Sequence, residues 1–292
     1  MDGEVDVNIQ DLVGNTPIVK ISDRLYAKFE TFNPSGSVKD RMALYILNKA
    51  EKSGALKHGH TIVEATSGNT GIAFSMLGAL KGYKVKIIMP RNMSEERKKM
   101  MRLYGAEIIE VGDNAFKDAI ALRDKLVEEN DDYWKPDQFH NPDNIECHEM
   151  TTGPEIIKQV FNDEKMDIDA LICGAGTGGT IMGVRKALLK VNPRLTTMLV
   201  VPEEDALSHG IQGINDGEDF LADRSLFQGV IEVSTHDATE RAKELARENG
   251  LLVGISAGAN ILACERWIEE NQPEGAVVTF LCDRGERYMT IY

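Results

Sequence analysis

Short apolar runs recur along this chain with amphipathic stretches between them, and that alternation admits few folds. Thr61-Ile62-Val63-Glu64-Ala65, Lys84-Val85-Lys86-Ile87-Ile88-Met89, Glu107-Ile108-Ile109-Glu110-Val111, Ala170-Leu171-Ile172-Cys173, Thr197-Met198-Leu199-Val200-Val201 and Ala276-Val277-Val278-Thr279-Phe280-Leu281 read as strands, several of them buried on both faces. Helical patterns separate them. One runs from Met42 to Ala50, another from Phe74 to Leu80 and stops at Gly82, a third opens on Ser94 as N-cap with Glu95 and Glu96 in its first turn, and a fourth starts at Ile181. The pattern predicts an α/β protein with two open, twisted, mostly parallel sheets flanked by helices. A length of 292 residues suits two linked domains better than one. The stretch from Asp131 to Asn144, interrupted by Pro136 and Pro142, is the expected crossing between them.

Two of the strands run into loops of small residues that open helices. Gly174-Ala175-Gly176-Thr177-Gly178-Gly179 satisfies the dinucleotide spacing G-x-G-x-x-G. Glycines there let backbone N–H groups approach an anion at the positive end of a helix. Thr177 and Thr180 can also donate to a terminal phosphate monoester, so the loop alone fits either a nucleotide or a phosphorylated cofactor. Glu203 or Glu204 would serve the ribose in the nucleotide case. Thr66-Ser67-Gly68-Asn69-Thr70-Gly71 repeats the geometry with small donors and acceptors that can hold a carboxylate without adding a competing charge. Its plainer reading is a cap on a helix starting near Ile72.

Lys39 follows the turn-forming run Asn33-Pro34-Ser35-Gly36-Ser37 and precedes a helix. Near a helix N-terminus the local potential disfavours ammonium, and a neutral amine is the form that attacks an aldehyde. Gly254-Ile255-Ser256-Ala257-Gly258 supplies a further hydroxyl, on Ser256. An amine for a Schiff base, a ring of small polar groups, a phosphate cradle and a hydroxyl for a ring nitrogen are together the needs of pyridoxal phosphate. The competing reading from another class is an NAD-dependent oxidoreductase built on the glycine loop.

Charge narrows the partners. A net charge of −14 and a pI near 5.0 disfavour nucleic acid and anionic membranes, both of which present phosphates. A small substrate is expected instead. The acidic start Met1-Asp2-Gly3-Glu4-Val5-Asp6 lacks a basic, then apolar, leader, and no run approaches the roughly 18 apolar residues of a membrane span. A cytoplasmic location is the resulting expectation. Cys147, Cys173, Cys264 and Cys282 form no C-x-x-C pair and read as reduced packing residues. The six histidines, His140, His148 and His209 among them, show no metal-ligand spacing.

The motifs in order, Gly14-Asn15-Thr16-Pro17-Ile18-Val19, N-P-S-G-S-V-K-D-R ending at Arg41, T-S-G-N-T-G, D-Q-F-x-N-P-x-N from Asp137 to Asn144, T-T-G-P-E-I from Thr151 and G-T-G-G-T from Gly176, resemble the cysteine synthase (O-acetylserine sulfhydrylase) family of fold-type II pyridoxal-phosphate enzymes. Met89-Pro90, Asn92-Met93-Ser94 and Cys282-Asp283-Arg284-Gly285-Glu286-Arg287-Tyr288 are most similar to its B-type members. The resemblance implies a tryptophan synthase β-like fold. It implies a smaller mobile domain over residues 36–147, carrying Lys39 and the carboxylate loop, and a larger one over 8–35 and 148–292, carrying the phosphate site. Lys39 would be the catalytic Schiff-base lysine, and Asn69 would bond the ring hydroxyl. Gly176, Thr177, Gly178, Gly179 and Thr180 would hold the phosphate, and Ser256 would face the ring nitrogen. Thr66, Ser67, Gly68, Thr70 and Gln138 would bind the substrate carboxylate, with Gly213 and Asp216 near it. A neutral hydroxyl cannot keep the ring nitrogen protonated, so the electron sink is moderate and β-elimination is favoured. The implied partners are a small amino acid with sulfide or water, and a second copy of the chain in a homodimer.

Departures from the family bear on the substrate. B-type members carry an arginine pair where Ser208-His209-Gly210-Ile211-Gln212-Gly213-Ile214 has none, which lowers the case for a phosphorylated donor or a bulky anionic nucleophile. Asn215-Asp216-Gly217-Glu218-Asp219 instead brings carboxylates close to the expected mouth. Were Asp216 to point inward it would activate water, giving serine and sulfide from cysteine. Its plainer reading is a solvated acidic turn. Cystathionine β-synthase-like replacement and a non-catalytic binding protein are the remaining expectations. The chain is also short between Lys20 and Lys28 and stops at Tyr292 soon after the C-D-R-G-E-R-Y segment, and a shorter tail would remove part of a dimer contact or of an active-site cover.

Overall fold

The computed structural model describes residues 7–66, 68–204, 210–211, 213–214 and 220–292. Its strands, in chain order, are β1 (Ile18–Lys20), β2 (Leu25–Phe29), β3 (Thr61–Ala65), β4 (Lys84–Pro90), β5 (Glu107–Val111), β6 (Tyr133–Trp134), β7 (Ile168–Gly174), β8 (Thr196–Pro202), β9 (Gly229–Val233) and β10 (Ala276–Leu281). They form two sheets, a six-stranded one in the order β1-β2-β10-β7-β8-β9 and a four-stranded one in the order β5-β4-β3-β6. Every pairing is parallel except the β1–β2 hairpin. This is the expected α/β architecture.

Residue alternation explains why each sheet needs helices on both sides. The helices are α1 (Lys39–Ser53), α2 (Asn69–Lys81), α3 (Glu95–Leu103), α4 (Phe116–Glu128), α5 (Asp143–Met150), α6 (Thr152–Ile156), α7 (Gly179–Leu188), α8 (Thr235–Asn249) and α9 (Ile255–Asn271). Ala170, Ile172 and Val277 point to one face of the large sheet and pack with Ala238, Leu245 and Ile261 of α8 and α9. Leu171, Cys173 and Val278 point to the other and meet Ile181, Val184 and Leu188 of α7. In the small sheet, Ile62 and Ile87 pack on α1 and α2, while Val63, Ala65 and Ile88 pack near α4. All of β3 and all of β10 are buried. Full burial of each large aliphatic side chain contributes roughly 1.5–3 kcal/mol, which makes these two strands the firmest supports for the loops that follow them.

One local expectation needs correction. Helix α2 opens at Asn69 rather than near Ile72, with Gly68 as an N-cap that makes no side-chain bond, so part of the T-S-G-N-T-G run lies inside the helix. The stretch from Asp131 to Asn144 contains β6, whose Tyr133 and Trp134 pair with Thr61 and Ile62 at the edge of the small sheet. The Ser94 cap holds, its hydroxyl accepting from the Arg97 N–H. Among the described residues no helix is long and apolar enough to cross a membrane, and no disulfide links the four cysteines.

Candidate active site

Parallel strands expose loops at their carboxyl ends, and there open α/β sheets bind ligands. Here the ends of β3, β7 and β10 face one another. Thr66 follows β3, Ala175 follows β7 and Cys282 follows β10. The turn before Lys39 is tied to that third end, since the Val38 N–H donates to the Cys282 carbonyl at 2.9 Å and the Arg284 N–H to the Gly36 carbonyl at 3.2 Å. Lys39, half-buried, is the first residue of α1.

Two adjoining cavities meet at Lys39. One is lined by Lys39, Thr66, Asn69, Thr70, Gln138 and Arg97 among others, and the second includes Lys39, Gly178, Thr180, Ser256 and Cys282. Asn69, Gly176, Thr177 and Gly213 line both. The structure therefore brings together every expected site residue that it describes except Gly68 and Gly179, which adjoin the lining residues in sequence. Ser67 and Asp216 lie outside the described residues.

The carboxylate-loop side chains are held in place. Thr70 donates its hydroxyl to Gln138 Oε1 at 2.6 Å, and Gln138 Nε2 donates to the Ala65 carbonyl at 3.0 Å. Behind them the buried Glu64 accepts from the Gln138 N–H at 3.1 Å and from Arg123 Nη1 at 2.9 Å. Burial pushes the Glu64 carboxyl above the usual carboxylate range, against the pull of Arg123. The amide of Gln138 is thereby fixed from three sides. Thr66 Oγ1 accepts from the Gly68 N–H at 3.1 Å, which folds the loop back on itself.

The glycine loop is shaped by contact. A methyl group on Gly176 would lie 2.8 Å from the Gly213 carbonyl oxygen, one on Gly178 2.5 Å from the Ala222 nitrogen, and one on Gly179 2.0 Å from Asn144 Oδ1. Gly178 also has φ +89°, which favours glycine. The N-cap of α7, Gly178, makes no side-chain cap bond, and Thr177 Oγ1 accepts from the Gly179 N–H at 3.4 Å; unpaired N–H groups at a helix start favour an anion. Asn144 donates to Thr177 Oγ1 at 3.0 Å, and His148 Nε2 lies 3.2 Å from Thr180 Oγ1. His148 also meets Thr152 Oγ1 at 2.8 Å through Nδ1, and burial keeps its imidazole neutral. Read from the sequence as packing, it also supports an expected phosphate donor.

Three residues of the site were not singled out by sequence reasoning. Asp283 Oδ2 accepts from Asn69 Nδ2 at 2.7 Å and from the Tyr288 hydroxyl at 2.8 Å. Arg287 Nη1 donates to Asn69 Oδ1 at 2.7 Å. The amide expected to meet a ring hydroxyl is thus engaged on both atoms by the segment after β10. Arg97 lies beside them, its guanidinium 4.9 Å from the Tyr288 ring centroid. The C-D-R-G-E-R-Y motif pointed to this segment without revealing its contacts.

A helix terminus for a phosphate, glycines too crowded for side chains, an amine and the Ser256 hydroxyl in one cavity fit pyridoxal phosphate. Of the two acidic residues the dinucleotide reading offered, Glu204 is engaged at the start of α8, where its Oε1 accepts from the Thr235 N–H at 2.8 Å. Comparison with known proteins agrees. The chain is 41% identical to a cysteine synthase of Staphylococcus aureus, covering 97% of this chain and 95% of that protein. It is 38% identical to cysteine synthase B of Escherichia coli, covering 97% and 94%. The crystal structure of a hydrogen sulfide-producing enzyme from Fusobacterium nucleatum superposes with a TM-score of 0.90 at 38% identity, covering 97% of this chain and 99% of that one. Residues 9–283 match the family described as pyridoxal-phosphate dependent enzyme, and with these relatives the chain belongs to that family.

Proposed function

We propose that this enzyme catalyses β-replacement on a serine-type amino acid, with sulfide as nucleophile and L-cysteine as product. The observation that carries the reading is that Lys39 shares one cavity with Thr66, Thr70 and Gln138 and also with Gly176 and Thr177. When bound, the cofactor supplies an aldehyde for the lysine amine and an electron sink for the α-carbon. The N–H groups at the start of α7, with Thr177 and Thr180, hold its phosphate. Ser256 faces its ring nitrogen as a neutral partner. Asn69 would bond its ring hydroxyl through the second N–H of its amide, the first being held by Asp283.

Thr66, Ser67, Thr70 and Gln138 bind the carboxylate of the amino acid and orient its α-proton toward Lys39. The Lys39 amine takes that proton as general base. Loss of the β-substituent and addition of sulfide complete the exchange: O-acetylserine and hydrogen sulfide give cysteine and acetate. Carboxylate binding draws the 36–147 region over the cavity and excludes water. The reading includes a homodimer in the cytoplasm.

A second direction is favoured by the likeness to the Fusobacterium nucleatum enzyme: cysteine and water giving serine and hydrogen sulfide, with Asp216 activating the water. Both are tested by offering the reconstituted protein O-acetylserine, O-phosphoserine, serine and cysteine, following the cofactor spectrum and sulfide, and repeating with Asp216→Ala. The first reading expects sulfide uptake with O-acetylserine. Serine formed from cysteine by the parent but not by the variant would replace it with the second.

A further inference from the structure

Arg97 is a charged side chain with an unmet need. It lies on the first turn of α3 and is 2% exposed, yet its Nε is buried without a hydrogen-bond partner. Asp283 Oδ2 stands 4.0 Å from Nη2, beyond hydrogen-bond distance, and already accepts from Asn69 and Tyr288, while Asp283 Oδ1 is itself buried without a hydrogen-bond partner. Arg287 Nη1 is also 4.0 Å from Oδ2, so one carboxylate faces two guanidinium groups. A buried guanidinium is ordinarily paired and hydrogen-bonded, because removing it from water is costly.

The surroundings say what is missing. The Arg97 stem packs on Gly68, where a methyl group would lie 2.5 Å from Arg97 Cδ, and the side chain lines the cavity that holds Lys39, Thr66, Thr70 and Gln138. Tyr288 supports the guanidinium from one face through a cation–π contact. The planar fork of donors suits a carboxylate, which can accept two parallel bonds, better than a spherical anion such as hydrosulfide. The T-S-G-N-T-G loop beside it contains no charged side chain.

We propose that Arg97 completes an anion subsite that takes the carboxylate of the amino-acid substrate, supplying the positive charge that the neutral loop lacks. The assignment rests on the β-replacement reading, in which that carboxylate enters this cavity. It separates capture of the substrate from chemistry at Lys39, and it places a cation in the site although residues 208–214 have no arginine.

The test uses the holoenzyme and its Arg97→Gln and Arg97→Lys variants at constant ionic strength. Acetate, L-alanine, L-alaninamide and hydrosulfide are titrated in turn, with cofactor fluorescence and the thermal midpoint as readouts. Acetate and L-alanine are expected to bind the Gln variant about tenfold or more weakly, with the Lys variant between, as for loss of a charge-assisted bond. L-Alaninamide, which has no carboxylate, and hydrosulfide are expected to bind all three alike. Unchanged acetate affinity in the Gln variant overturns the proposal, and so does a loss confined to hydrosulfide. Should the Gln variant fail to fold, equal acetate affinity in the Lys variant and the parent overturns it, and a weakened one supports it. The midpoint shift with acetate reads Arg97 even if the amino-acid panel defeats the β-replacement reading.

Discussion

Asn69 donates its side-chain amide to the Asp283 carboxylate at 2.7 Å, joining the first residue of α2 to the segment that follows β10. The small sheet carries one partner and the large sheet the other. Asp283 also receives the Tyr288 hydroxyl and lies between Arg97 and Arg287, so it is the one carboxylate named here that faces both guanidinium groups. Replacing it with Asn removes the charge and keeps the shape. Breaking a buried ionic cluster costs on the order of 3 kcal/mol. Urea unfolding of Asp283→Asn is expected to show a loss of about that size, and a change below about 0.5 kcal/mol would mean that the cluster does not support the fold.

Glycine 178 and glycine 82 make opposite demands on a side chain. Both have positive φ, +89° and +76°, but a methyl group on Gly178 would strike the Ala222 backbone while one on Gly82 would meet nothing within 4 Å. Gly82→Ala is expected to cost about 1 kcal/mol through backbone conformation alone. Gly178→Ala is expected to weaken the cofactor about a hundredfold or more, because the phosphate-facing loop must move. Equilibrium dialysis against pyridoxal phosphate distinguishes the two, and equal affinities would show that the loop does not hold the phosphate.

Acid sensitivity begins at His148. Burial, with Arg41 and Lys39 adding to it, holds this imidazole well below its ordinary value. The unfolded chain therefore binds a proton that the folded one refuses as the pH falls below about 6.5. Stability is full above that pH and declines below it. His148→Gln is expected to flatten the decline between pH 6.5 and 5 and to loosen the phosphate grip through Thr180. Thermal midpoints across this range check the first effect, and an unchanged slope would contradict it.

A second acid step belongs to Glu155. Burial raises its carboxyl, but the double contact with Arg41 at 2.7 Å on each oxygen and the Lys28 ion pair at 2.8 Å outweigh it and bring it to about 2. Its folded value is depressed, so its contribution is present above about 4.5 and is lost as the pH falls toward 2. With screening at this partly exposed carboxyl, the shift corresponds to about 1–2 kcal/mol at neutral pH. Unfolding of Glu155→Gln by urea at pH 7 should show a loss of that order, shrinking as the pH is lowered to 3. A loss independent of pH would assign the effect to packing.

Strands buried on both faces were legible because their apolar runs are unbroken, as in β3 and β10. Strand β2 was not, since Lys28 interrupts its pattern. That lysine is fully buried, and its ammonium reaches Gln159 at 2.8 Å and Glu155 across the fold. Strand β6 has two residues and no period to read. The glycine loop and the Lys39 turn were legible because their requirements are local: crowded backbone, positive φ and a helix start. The contacts of Arg97, Asp283 and Arg287 were not, because the motif after β10 marks a segment and only the fold brings it to Asn69 and Arg97. Asn69 was singled out, but its present partners come from the far end of the chain.

The central claim is that Lys39 carries the cofactor, and it is tested most directly by reducing the reconstituted protein with borohydride and locating the modified residue by peptide mass spectrometry. The account predicts one phosphopyridoxyl adduct, on Lys39, and loss of the visible cofactor band in Lys39→Ala. An adduct on another lysine, or none after reconstitution, would contradict it.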